Sequence, residues 1–150
     1  MSFATLDQIL LRLSKNRFTP TEDSDPTIAQ ILARADSHSQ DLTAVLTTKG
    51  YDIPSTPGEP AYDKIAEMNA DYVGAWLINY LWNKTARAER CPAADLIMEG
   101  YKERLKMLQS GQFNYLFAPT LASPPVLSSR MYSSVSDVQA EPLFVFKSRF

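Results

Sequence analysis

With one cysteine, one histidine and five glycines in 150 residues, the chain lacks the raw material for several kinds of chemistry. Cys91 stands alone, so no intramolecular disulfide can form; this fits a reducing compartment and a small, partly buried thiol ahead of a helix. A lone Cys and a lone His supply no pair at metal-ligand spacing. Gly50, Gly58, Gly74, Gly100 and Gly111 are all isolated, which excludes a phosphate-binding loop. No sign of charge dominates. Fifteen Lys and Arg against 17 Asp and Glu leave a net charge of −2, giving no general electrostatic reason to bind nucleic acid or an anionic membrane. The longest apolar run, Tyr72 to Trp82, is interrupted by Asn79 and falls short of the ~20 residues that span a bilayer. The amino terminus, Met1-Ser2-Phe3-Ala4-Thr5, has neither the basic nor the apolar region of a signal peptide. The expectation is a soluble intracellular product with no membrane partner and no cofactor. An apolar fraction of 45% and a charged fraction of 21% argue against wholesale disorder, and the length suits one domain with a real core.

What the chain does have is a series of capped helical patterns. Thr5-Leu6-Asp7-Gln8 is a capping box, and Leu6, Ile9, Leu10 and Leu13 form one apolar stripe behind it. Phe18 to Asp23 reads as a turn. A second helix is predicted to open with Asp25 as N-cap and Pro26 at the first helical position, where its missing N–H costs nothing. Ile28, Ile31, Leu32, Ala35, Leu42, Val45 and Leu46 come next at three- and four-residue spacing, and Lys49-Gly50 stops the run. Pro54, Pro57, Gly58 and Pro60 make residues 51–60 a stiff loop. The third helix, from about Pro60 to Ala88, is the longest. It is acidic at first (Glu59, Asp63, Glu67, Asp71) and basic at its end (Lys84, Arg87, Arg90), as the helix dipole favours. Between these charges, residues 72–82 are apolar on nearly every face. Such a helix must be covered all round. A neighbouring subunit could supply part of the cover; a central core helix in a monomer fits this stretch equally well. Cys91-Pro92 starts the fourth helix. Leu96, Ile97, Tyr101, Leu105 and Leu108 mark its apolar face, while Glu99, Lys102, Glu103 and Lys106 pair along its wet one until Ser110-Gly111 ends it.

The character of the chain changes at Gly111. A helical body, 1–111, gives way to a Ser-, Pro- and aromatic-rich arm, 112–150. Gln112-Phe113-Asn114-Tyr115-Leu116-Phe117 alternates as a short strand would. Pro119, Pro124, Pro125 and Pro142 interrupt the rest of the arm, leaving Arg130-Met131-Tyr132 and Leu143-Phe144-Val145-Phe146 as islands of bulky residues. Ordering such a segment costs about 1–2 kcal/mol per residue in backbone entropy. A partner surface can offset that through strand addition and aromatic anchors, although the arm could instead wrap over its own body.

Catalytic signals are thin. His38 and Asp41, three apart on the second helix, read first as a solvated face. Composition leaves a Ser/His/Asp triad open, but no strand–Gly-x-Ser-x-Gly–helix context supports one. Asp63, Glu67 and Asp71 line one helical face and could meet a divalent ion or a basic partner, yet no Glu-x-x-His accompanies them. Arg87 and Arg90 alone are no nucleic-acid footprint. No enzymatic activity is expected.

The order of these features resembles a known family. The residues that carry the likeness are Phe3 to Leu13, Asp25-Pro26-Thr27-Ile28 through Ala33-Arg34-Ala35-Asp36, the long aromatic helix with Asp71-Tyr72-Val73-Gly74-Ala75-Trp76-Leu77, and Tyr101-Lys102-Glu103-Arg104-Leu105-Lys106-Met107-Leu108 running into Ser110-Gly111. Together, over residues 1–113, they are similar to the small helical head–tail connector proteins of tailed bacteriophages, also called adaptor or head-completion proteins. The arm from Asn114 onward is longer than in the simplest members. The resemblance implies an all-α fold of about four helices with an extended carboxyl-terminal arm able to add a strand to a partner. It implies a virion protein of the neck, assembled in the host cytoplasm as a homo-oligomeric ring of twelve subunits. That ring would lie between the portal protein and a downstream neck protein, a stopper or tail terminator. DNA would pass through the channel without sequence-specific binding. On this reading the residues that dock on the portal or a neighbour are Phe113, Tyr115, Phe117, Arg130, Tyr132, Phe144, Phe146, Lys147, Arg149 and Phe150. Ring contacts fall on Tyr72, Trp76, Tyr80 and Trp82. The contrasting readings are a small helical regulator that binds another protein as a monomer, and a metal enzyme using the Asp63, Glu67 and Asp71 row.

Overall fold

A computed structural model of the chain describes residues 2–13, 18–85 and 91–117. These residues form helices and no strand: α1 (Leu6–Leu10), which tightens into a 3-10 turn (Leu11–Leu13), then α2 (Ile28–Thr48), α3 (Pro60–Thr85) and α4 (Pro92–Gln109). The fold is all-α, as the sequence pattern requires. Thr5 caps α1 with the expected box. The start of α2 differs from expectation. Its N-cap is Thr27, not Asp25: Thr27 Oγ1 accepts from the Gln30 N–H at 3.2 Å, and Gln30 Oε1 accepts from the Thr27 N–H at 2.9 Å. This box satisfies two donors where Asp25 alone would satisfy one, and the Asp25 carboxylate is held elsewhere, by Tyr80 and Lys84.

Two helices stop in the same way. After α2, the Tyr51 N–H reaches back to the Leu46 carbonyl and the Gly50 N–H to Thr47; after α4, Gln112 reaches Met107 and Gly111 reaches Leu108. Both are Schellman closures, and Gly50 and Gly111 sit at the left-handed position these require, with φ of 70° and 81°.

The polypeptide then turns back on itself. Residues 112–117 are consecutive turns rather than the predicted strand, with the Asn114 N–H bonded to the Gly111 carbonyl at 3.1 Å and Leu116 to Phe113 at 2.9 Å. In turns, Phe113 and Phe117 share the inner side, so both are buried and Tyr115 points out at 78% exposure. Phe117 stacks on Tyr51 with ring centroids 5.2 Å apart, and the Tyr51 hydroxyl donates to Asn114. The compact body therefore continues past Gly111 to Phe117.

α3 is the axis of the bundle and is touched by α1, the 3-10 turn, α2 and α4. Its neighbours bury Ile65, Met68, Ala70, Val73 and Leu77 completely, while within the apolar stretch Tyr72, Trp76 and residues 79–82 are half-buried. One apolar cluster joins it to α1 and the first half of α2 through Ile9, Leu13, Ile31 and Ala35. A second joins it to the far half of α2 and to α4 through Leu42, Leu46, Tyr101, Leu108, Phe113 and Phe117. Gly74 explains how the 3-10 turn after α1 comes so close. A Cβ there would stand 2.7 Å from Arg12 Cβ and 2.8 Å from Arg12 Cγ, inside any allowed contact.

Candidate interaction surface

Four-residue spacing on α3 places Tyr72, Trp76 and Tyr80 along one face, each half-buried. The rings of Trp76 and Tyr80 lie 5.6 Å apart at 39°. Arg34 of α2 completes the ridge. Its guanidinium sits 5.5 Å from the Tyr72 ring centre and 5.8 Å from that of Trp76, and Nη2 donates to the Tyr72 hydroxyl at 3.1 Å. A cleft opens on either side of this ridge. The larger, about 430 Å³, is lined by Pro26, Gln30, Ala33, Ser37 and Tyr80; the smaller, about 190 Å³, by Ala75, Asn79, Asp95 and Met98.

At the carboxyl end of the ridge, Tyr80 donates to Asp25 Oδ1 at 2.5 Å and Lys84 donates to the Asp25 carbonyl at 2.9 Å and to its carboxylate. Hydrogen bonds from Lys84 and Tyr80 hold the Asp25 carboxyl below its ordinary value, and the same contact with Asp25 raises the Tyr80 phenol. Trp82 does not join its three companions. Six residues beyond Trp76 it has rotated off the face, packs against the first core cluster, and buries an indole N–H with no acceptor among the described residues.

The expected docking aromatics are distributed differently from the sequence reading. Phe113 and Phe117 are spent in the body's own core, where Lys64 Nζ lies 5.6 Å from the Phe113 ring centre, and only Tyr115 of the three is free to meet a partner. Arg130, Tyr132, Phe144, Phe146, Lys147, Arg149 and Phe150 lie outside the described residues, as do Arg87 and Arg90.

The acidic row on α3 faces cations of this same chain. Asp71, 5% exposed, receives Arg12 Nε at 2.6 Å on one oxygen and Arg104 on the other. Glu67 receives Arg104 at 2.8 Å and Lys64 at 3.0 Å. Burial works against the Glu67 charge, but the hydrogen bond from Lys64 and the positive charges of Lys64, Arg104 and Arg12 outweigh it and lower its carboxyl. Asp63 accepts from the Gly58 N–H at 3.1 Å instead. Among the described residues no group of three candidate ligands could hold a metal ion. The expected pairs of Glu99 with Lys102 and Glu103 with Lys106 do not form; the ion pairs of α4 run through Arg104 to α3.

His38 is the residue sequence reasoning missed. Far from lying on a solvated face, it is 3% exposed at the junction of α2, α3 and α4. The signal was present, because Ile31, Ala35, His38, Leu42 and Leu46 recur at four- and three-residue spacing, so His38 occupies a core position of its helix.

No protein-family model, curated protein or solved structure matches this chain. Among the described residues no helix is long and apolar enough to cross a membrane.

Proposed function

We propose that the protein is a structural component of a phage virion: a head–tail connector that forms a ring under the portal, extends the DNA channel and joins the head to the neck. The observation that carries this reading is the ridge of Arg34, Tyr72, Trp76 and Tyr80 between two clefts. An exposed arginine grouped with half-buried large aromatics is what protein interfaces enrich. The ridge lies on the helix where the family resemblance implies lateral contacts, and of Tyr72, Trp76, Tyr80 and Trp82 it groups the first three on one face, which supports this reading. Portal and neck proteins remain the partners of this reading, with Tyr115 and the arm beyond it as the docking elements.

Light scattering of the full chain, alone and with a purified portal ring, tests the proposal. The expected result is a ring-sized particle in at least one condition, and return to a monomer for Trp76→Ala with its helical circular dichroism unchanged. A monomer that ignores the portal overturns it. That outcome would favour a second reading, a monomeric helical regulator, which has its own support: this chain's helices bury Ile65, Met68, Ala70, Val73, Leu77 and Ile78 of α3 without a neighbour.

A further inference from the structure

The bonds around His38 determine its protonation state. The Asn69 amide nitrogen donates to Ser39 Oγ at 2.7 Å, to Ser2 Oγ at 3.2 Å and to the Ala35 carbonyl at 3.3 Å. Its oxygen is thereby the acceptor that faces His38 Nδ1 at 3.0 Å, and Nδ1 must carry the hydrogen. Nε2 is then a bare lone pair. The Tyr101 hydroxyl, 2.7 Å away, donates to it. A neutral imidazole satisfies both sides, and its ring stacks on Tyr72 at 3.9 Å and 7°. Through this one side chain α2 holds Asn69 and Tyr72 of α3 and Tyr101 of α4. Ser39 extends the network to the amino-terminal segment by accepting the Phe3 N–H at 3.0 Å.

The titratable or charged groups that face His38 are Arg34 and Asp41 on its own helix, Tyr72 on α3 and Tyr101 on α4. Burial is the chief influence and disfavours the imidazolium. The Asn69 bond and Asp41 favour it, Arg34 opposes it, and the net effect lowers the His38 pKa. A proton on Nε2 would convert an acceptor into a donor aimed at a hydroxyl whose own hydrogen already points there. It would also set a second cation four residues from Arg34, against the same Tyr72 ring.

The geometry points to His38 as a proton-sensitive latch: neutral, it closes the junction of α2, α3 and α4; protonated, it releases Tyr101 and loosens α4. The latch is independent of the proposed function. Because the folded His38 pKa is lowered, its contribution is fully present above the unfolded value of about 6.5 and is lost as pH falls toward and through the folded midpoint.

His38 is the only histidine, so its imidazole resonances in the full chain need no assignment. Titration by NMR should give a midpoint below 6.5 and the Nδ1–H tautomer, and Tyr101→Phe should raise the midpoint by removing the donor to Nε2. Hydrogen exchange should show α4 protection falling by up to about tenfold per pH unit below 6.5, the limit for one linked proton. In His38→Gln that fall should vanish. A midpoint at or above 6.5, an Nε2–H tautomer, or an unchanged midpoint in Tyr101→Phe overturns the latch. So does an unaltered pH profile in His38→Gln. Should His38→Gln not fold, the wild-type titration and Tyr101→Phe decide the matter.

Discussion

Asp71 is the point where three elements meet one charge. Arg12 arrives from the 3-10 turn after α1 and Arg104 from α4, 59 and 33 residues away in sequence. Removing the carboxylate leaves both guanidinium groups facing each other over a buried site, and loss of one partner of a buried pair costs about 3–5 kcal/mol. Here the arginines are 28% and 24% exposed, and Arg104 keeps Glu67, so the cost falls at or just below the bottom of that range. Asp71→Ala should therefore lose about 2–3 kcal/mol in a urea titration. A loss under ~1 kcal/mol would mean the arginines swing freely into water and the carboxylate ties nothing together. Sequence alone showed the acidic row but not its cations, because a helical period predicts which residues share a face and is silent on what another helix brings to it. The same gap hid Arg34, while Tyr72, Trp76 and Tyr80 were legible from their spacing. His38 was overlooked for a different reason: residue type was weighed above its place in an apolar stripe.

At the scale of the element, helix ends were the most readable part of the chain. The capping box at Thr5, the Cys91-Pro92 start, and the glycine stops at 50 and 111 all fall where backbone chemistry demands them. Two elements were misplaced because two signals competed. At α2, Asp25-Pro26 and Thr27-x-x-Gln30 overlap, and the box that satisfies more donors won. At 112–117, alternation of aromatic and polar residues mimicked a strand, while the four-residue interval between Phe113 and Phe117 described the turns that form. The first case is open to a direct comparison. Thr27→Ala should lower stability by about 1 kcal/mol, the usual cost of a lost N-cap. Asp25→Ala should lower it by less, since its bonds to Tyr80 and Lys84 are solvent-exposed. Equal midpoints in thermal unfolding, or the reverse order, would return the capping role to Asp25.

At the scale of the molecule, the packed body includes side chains beyond the change in composition. The sequence places the boundary between body and arm at Gly111, where composition changes; among the described residues, burial continues past it to Phe113 and Phe117. Truncation distinguishes the two. A chain ending at Phe117 should keep the helical circular dichroism and unfolding midpoint of the full protein, whereas one ending at Gly111 loses two buried phenylalanines, each worth about 3–5 kcal/mol when removed from a core. Survival of the shorter chain at full stability would show that the turn merely rests on the bundle. Collapse of the longer one would show that residues 118–150 contribute to the body.

The clasp between Tyr51, Asn114 and Phe117 gives the molecule a polarity. It sits beside the carboxyl ends of α2 and α4 and the first turns of α3, near Tyr62 and Lys64. The Asp25–Tyr80–Lys84 foot sits at the other pole, and Lys64 and Tyr80 alone are separated by roughly 24 Å along the α3 axis at 1.5 Å per residue. Phe117, the last described residue, thus lies at one pole while the aromatic ridge runs toward the opposite one. If the chain assembles as proposed, contacts made near either pole would be joined by a single continuous helix, the 26 residues of α3.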